Sequence, residues 1–148
     1  MKDIKKLIKE NELDLSTLVV FTRAEHTIHR IEYQTIKQSG LTPAQFGVLE
    51  ALYNKGDLRI CELIEKILTT SGNITVVIKN LEKDGLIKKK PDPSDKRSCI
   101  ISLTEEGKKI IEDILPNHIK NIKGIFEVLT DEEKNTLKTI LKKFKDLW

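Results

Sequence analysis

The stretch from Thr70 to Leu103, TSGNITVVIKNLEKDGLIKKKPDPSDKRSCIISL, constrains the fold more than any other part of the chain. Thr70 is a good helix N-cap, because its hydroxyl can accept a free backbone N–H. Ile74, Val77, Ile78 and Leu81 follow at i, i+3, i+4 and i+7, one apolar stripe on a helix. Gly85 stands where a left-handed C′ residue is needed, and Leu86 at C″ can pack on Leu81, a Schellman-type stop. Two strand-like runs come next, Leu86–Lys90 and Ser98–Leu103, separated by a charged, turn-rich tip from Pro91 to Arg97. Helix, strand, basic tip, strand is the order of a recognition helix and a wing.

The side of this helix opposite the stripe carries Gly72, Val76, Lys79 and Lys83, flanked by Asn73, Thr75 and Asn80. A solvated face is usually long-chained and charged. The first two turns here are small and nearly uncharged, so the helix start can approach a base-pair floor closely. Asn73 and Thr75 can hydrogen-bond base edges, and Val76 can touch a thymine methyl. The alternative is a plain surface helix with a stray valine. The charge distribution favours DNA: residues 79–97 hold seven basic and four acidic side chains, an excess of +3, which equals the net charge of the whole chain. A basic patch on an otherwise balanced protein suits phosphate binding. It brings in Lys88 and Lys90 on the first strand and Lys96 and Arg97 at the tip, with Thr70, Ser71 and Gly72 at the helix start.

The pattern TSGNIT…NLEKDGLI…DPSDKR…LTEEG resembles the MarR family of bacterial winged helix-turn-helix regulators, and the resemblance extends upstream through Gly40-Leu41-Thr42-Pro43-Ala44-Gln45-Phe46. It implies a mainly α fold with a small β-hairpin wing, a winged helix-turn-helix lobe joined to a helical dimerisation lobe. It also implies a homodimer on pseudo-palindromic double-stranded DNA, commonly a repressor released by a small molecule or an oxidant. Half-sites would lie about 10 bp apart, one turn of DNA.

The remaining chain fits this division into 1–40, 41–104 and 105–148. Residues 1–12 read as an amphipathic arm with Ile4, Leu7 and Ile8 on one side. Asp14 or Ser16 can cap a long helix reaching Ser39, whose apolar residues on more than one side need a partner. Thr42-Pro43-Ala44-Gln45 is a capping box with proline at N1, and Leu41 with Phe46 a hydrophobic staple. Phe46, Leu49, Leu52 and Tyr53 continue inward. Leu58–Leu68 reads as the first helix of the pair. Its Arg59 replaces the Thr or Ser common in the family, so Asp57 caps or the start frays, and Arg59 becomes a candidate phosphate contact. Thr104 caps the next helix, Pro116 predicts a kink or break in it, and Thr130-Asp131-Glu132-Glu133 is a second capping box leading to a last helix that Leu137, Ile140, Leu141, Phe144 and Leu147 make amphipathic. The N- and C-terminal helices are too apolar for a monomer surface and are expected to form the dimer interface.

At the tip, Asp95 can hold the Arg97 guanidinium in one orientation. In the family the matching arginine enters the minor groove, where a narrow A·T tract attracts it. Lys96 replaces a common arginine and keeps only a point charge. An effector, small and aromatic or lipophilic, is expected between the first, second and fifth helices, with His26, His29, Arg30 and Phe46 as candidates. His26 and His29 lie one turn apart, but metal binding is not expected. Cys61 and Cys99 are expected to be buried, inert thiols. No glycine cluster, nucleophile motif or free carboxylate pair supports an enzyme or a cofactor. No apolar run approaches the ~20 residues of a membrane span, and no signal-type core is apparent, so a cytoplasmic protein is expected. Thiol- or metal-responsive regulation, and a winged helix used only for protein contacts, are the alternatives.

Overall fold

The computed structural model describes residues 3–67 and 71–147, with the backbone alone at Ser71, Gly72 and Asp146. Seven α-helices and a three-stranded antiparallel sheet are found among the described residues: α1 Ile4–Glu10, α2 Glu12–Gln38, α3 Pro43–Lys55, β1 Leu58–Arg59, α4 Ile60–Ile67, α5 Ser71–Lys83, β2 Ile87–Asp92, β3 Asp95–Leu103, α6 Glu105–Phe126 and α7 Asp131–Lys142, then a 3-10 turn at Lys145–Leu147. The chain divides into two compact units. The first holds residues 1–33 and 123–148, the second Gln34–Ile122.

The second unit contains the hydrophobic core. Phe46, Val48, Leu49 and Leu52 of α3, Leu63 of α4, Ile74, Val77, Ile78 and Leu81 of α5, and Ile101 of β3 are all buried in it. The Thr42 box is formed: the Gln45 N–H donates to Thr42 Oγ1 (3.2 Å) and the Thr42 N–H to Gln45 Oε1 (2.9 Å). Leu41 is partly buried against the core cluster that includes Phe46. Tyr53 turns partly outward instead, its hydroxyl donating to Glu112 Oε1 at 3.0 Å. The stop after α5 is a full Schellman motif: Leu86 N–H donates to Leu81 O and Gly85 N–H to Glu82 O, both at 3.0 Å, with Gly85 at φ 72.

Several boundaries differ from the sequence reading. Leu58 and Arg59 are not helical. They pair with Ile101 and Ile100 as a third strand, giving the order β1-β3-β2. α4 therefore starts at Ile60, and its start is held by Glu62, whose Oε2 accepts the Arg59 N–H at 2.8 Å, rather than by Asp57. α2 starts at Glu12, so Asp14 and Ser16 lie inside it, and Ser16 Oγ donates to Leu13 O. Pro116 does not break α6, which runs unbroken on both sides, with Ile111, Ile114 and His118 buried along one face. Packing of that face outweighs the one backbone bond a proline removes. α7 ends at Lys142, before Phe144 and Leu147.

In the first unit no described residue is buried. Ile4, Leu7 and Ile8 of α1, Leu13, Leu18, Val20 and Phe21 of α2, and Ile140 of α7 are all exposed in the single chain. The second capping box is in place at its α7 entry, with Glu133 N–H donating to Thr130 Oγ1 and Thr130 N–H to Glu133 Oε2.

Candidate nucleic-acid interface

α5 presents Asn73, Thr75, Val76, Lys79 and Lys83 to solvent on the side opposite its buried stripe. Val76 is 57% exposed, an apolar side chain left without a core to join. Ser71 and Gly72 form the first residues of the helix backbone. Thr70, expected as its cap, lies outside the described residues.

The wing is a hairpin with a two-residue turn, Pro93-Ser94, tighter than the seven-residue tip expected. β2 and β3 pair from Ile87↔Leu103 to Pro91↔Cys99, and then Asp92 pairs with Asp95. Lys96, Arg97 and Ser98 therefore have no counterpart on β2 and bulge out of the ladder. Both basic residues expected at the tip are exposed on this bulge. Lys88 and Lys90 are exposed on β2 and share one face by alternation. Arg59, in the same cross-strand row as Ile100 and Lys90, belongs to that face too.

Two contacts revise the expected wing chemistry. Asp95 Oδ1 accepts the backbone N–H of Arg97 at 2.9 Å, so it fixes the bulge backbone rather than the guanidinium. A short carboxylate two residues upstream reaches the amide more readily than the end of a long side chain. The acid that engages an arginine is Asp92, which is 3% exposed. Its Oδ1 accepts the Ser94 hydroxyl (2.7 Å) and the Ser94 N–H (2.9 Å), and its Oδ2 lies 2.6 Å from Arg59 Nε. Oδ2 has no aligned hydrogen-bond donor, so the nearby guanidinium charge is what compensates it. Arg59 Nη2 also donates to Ser94 Oγ at 2.8 Å. The Ser94 hydroxyl and amide, and then the Arg59 charge, hold the Asp92 carboxyl below its usual range against the opposing effect of burial. The sequence signal for the turn was present in Asp92-Pro93-Ser94, an Asx-turn pattern. The Arg59 partner was not, since it lies on another strand.

Thr104 ties α6 to this lobe. Its hydroxyl accepts the Gly107 N–H (3.0 Å) and donates to Gly85 O (2.7 Å), while its own N–H donates to Leu86 O. Gly107 is required by close approach, because a Cβ there would lie 2.1 Å from Leu86 O.

The other candidate residues fall into separate places. His29, in the first unit, lies between Glu32 Oε2 (2.7 Å from Nδ1) and Glu25 Oε1 (3.4 Å from Nε2) and stacks on Tyr33. Partial burial, then Glu32 and Glu25, raise the Tyr33 hydroxyl pKa. His26 and Arg30 are exposed on the same helix. Phe46, in the second unit, is a core residue whose ring meets buried His118 at 4.6 Å; His118 Nδ1 is 3.0 Å from Thr35 Oγ1. Among the described residues no group of three or more metal-ligating side chains converges, and no helix is long and apolar enough to cross a membrane. Cys61 is exposed, contrary to expectation, and Cys99 is half-buried. Cys61 falls on the outer side of α4, away from Ile60, Leu63, Ile64 and Ile67, which pack inward.

Comparison with known proteins agrees with this arrangement. Residues 41–99 match the MarR family. The chain is 36% identical over 132 residues to the HTH-type transcriptional regulator MhqR of Bacillus subtilis, covering 89% of this chain and 91% of that protein. BpsR of Bordetella bronchiseptica, whose DNA binding is regulated by 6-hydroxynicotinic acid, is 27% identical with a TM-score of 0.77, over 88% of this chain and 98% of that one. A MarR family regulator from Streptomyces coelicolor, solved in complex with DNA, has the same fold at a TM-score of 0.83 and 23% identity, over 89% of this chain and 86% of that one. The family consists of transcriptional regulators, not enzymes. The chain belongs to the MarR family of DNA-binding transcriptional regulators.

Proposed function

We propose that two copies of this chain bind a pseudo-palindromic operator as a repressor, and that a small aromatic or lipophilic molecule releases them. The observation that carries the DNA reading is the pairing of a helix face that is small, polar and exposed with a basic wing bulge on the same lobe. α5 enters the major groove, with Asn73, Thr75 and Val76 at base edges and Lys79 and Lys83 at phosphates. Lys96 and Arg97 reach the adjacent minor groove, and Lys88 and Lys90 add phosphate contacts.

Pairing of two copies is supported by the first unit. A set of helices with exposed leucines, valines and phenylalanine and no buried residue among those described lacks the burial that offsets the entropy of ordering it. A second copy supplies the missing apolar surface, and the two recognition helices then meet half-sites about 10 bp apart. The effector reading draws on BpsR, whose regulator is a small aromatic acid.

Selection of duplexes by the purified protein from a random-sequence pool, with the mass of the protein and of its complex measured by sedimentation, tests the proposal. An enriched inverted repeat bound by two copies is expected. A monomer at micromolar concentration, or no enriched sequence, would refute it. Aromatic acids added to the complex then test release.

A further inference from the structure

We propose that Arg59 is a positioning residue, which locks the wing to the start of the helix-turn-helix through Asp92 and Ser94, rather than a DNA contact. The inference rests on the DNA-binding reading above. Arg59 is the last residue of β1, and its own N–H is held by Glu62 at the start of α4. Its side chain crosses the sheet face to the far strand, where Nε meets the buried Asp92 carboxylate and Nη2 meets Ser94. One residue thus joins the element that leads into the helix pair to the turn that precedes the Lys96-Arg97 bulge of β3.

The guanidinium suits this role. Its planar fork addresses a carboxylate and a hydroxyl at once, which an ammonium cannot do. Asp92 needs it: the carboxylate is nearly fully buried, and Arg59 is the cation against its otherwise unpartnered oxygen. Removing one member of such a pair leaves a buried charge uncompensated. Without the lock, β2 still pairs with β3 but the turn between them is free to tilt, so Arg97 reaches the groove only after paying the entropy of ordering.

The test uses the full chain and the duplex it selects from a random pool, titrated at several salt concentrations. Wild-type binding to that duplex checks the DNA-binding reading itself, and only differences among variants test the lock. Asp92→Asn is expected to bind about tenfold more weakly, the effect of losing a charge-assisted contact, although it makes the protein more positive. Its slope of log affinity against log salt should match wild type, since no phosphate contact is lost. Arg59→Ala should show a similar loss, and Arg59→Lys should not restore it. Arg97→Ala should cost less affinity in the Arg59→Ala background than in wild type, because the two residues act in series. A merely structural role would leave the Arg97 effect unchanged. Tighter binding by Asp92→Asn, full rescue by Arg59→Lys, or equal Arg97 effects in both backgrounds would overturn the proposal and make Arg59 a phosphate contact. Should Arg59→Ala or Asp92→Asn melt below the assay temperature, Ser94→Ala decides. It alters only an exposed side chain, and it should weaken binding and reduce the Arg97 effect; no change in either overturns the lock.

Discussion

Gly107→Ala should destabilise the protein although it places a better helix former inside α6. Helix propensity alone favours alanine by ~1 kcal/mol. The new Cβ, however, would lie 2.1 Å from Leu86 O and 3.0 Å from Leu103 Cδ1. An ordinary C···O contact is about 3.3 Å, so a gap of roughly 1.2 Å must open. The obstructing atom is backbone and is held from two sides. Leu86 N–H donates to Leu81 O in the Schellman stop of α5, and Leu86 O accepts the Thr104 N–H. Overpacking typically costs ~1–3 kcal/mol, and this fixed neighbour places the cost at the upper end. Breaking the Thr104–Leu86 bond adds ~1 kcal/mol. After the propensity gain the net loss is about 3 kcal/mol. For a chain of this size that lowers Tm by roughly 6–12 °C. Thermal melting followed by circular dichroism, at one protein concentration, reads it. Gly124→Ala in the same helix is the comparison, since nothing lies within 4 Å of its Cβ position. A Gly107→Ala protein that melts at or above wild type would show that α6 is not seated on Leu86 as described.

Lys79→Ala should weaken binding to all duplexes alike and flatten the slope of log affinity against log salt by about one unit, as for a phosphate contact; a changed base preference at constant slope would make Lys79 a base reader. Arg97→Ala should lose more operator affinity than Lys96→Ala, most on A·T-rich flanks, and Asp95→Ala should also weaken binding despite adding net positive charge, because it frees the bulge amide; titration on paired A·T and G·C duplexes checks both, and tighter binding by Asp95→Ala would leave the tip a diffuse phosphate clamp. The Asp92 carboxyl has its pKa lowered in the folded state, so its stabilising effect is full above the ordinary aspartate value and is lost as pH falls through the lowered one. The melting advantage of wild type over Asp92→Asn should therefore hold at neutral pH and fade below about pH 4, and an advantage that persists to the lowest pH reached would place the effect of Asp92 elsewhere.

What the sequence made legible was local. Thr42–Gln45 and Thr130–Glu133 close their capping boxes because each motif contains both partners within four residues. Gly85-Leu86 stops α5 for the same reason, and the Ile74–Leu81 stripe states its own period. The misses depended on residues far apart. Leu58-Arg59 follows an apolar pattern that continues into α4, and only pairing with Ile100 and Ile101, over 40 residues away, makes it a strand. Tertiary context overrides local preference in so short a segment. Separation in sequence also hid the Asp92–Arg59 pair, whereas Asp95, two residues from Arg97, was the acid the local pattern offered to an arginine. Cys61 directly follows inward Ile60, and the 100° turn between neighbouring helix residues carries it to solvent.

The two units show opposite relations between sequence and stability. In the second, each apolar residue read as inward on α5 finds the core within the single chain, and the side chains left outside are those suited to DNA. In the first, the same reading of α1, α2 and α7 identifies apolar faces for which the single chain has no core. That contrast separates the roles. A lobe that completes its own core can hold its α5 face rigidly within one chain, whereas under the proposed pairing the first-unit helices would complete theirs with a second copy and make half-site spacing a property of the pair. Substitutions in α5 should therefore alter base preference or salt slope at constant dimer mass. Substitutions of Leu18 or Phe21 should shift the monomer–dimer balance first, and lower operator affinity only through it, with a dependence on protein concentration that an α5 variant lacks.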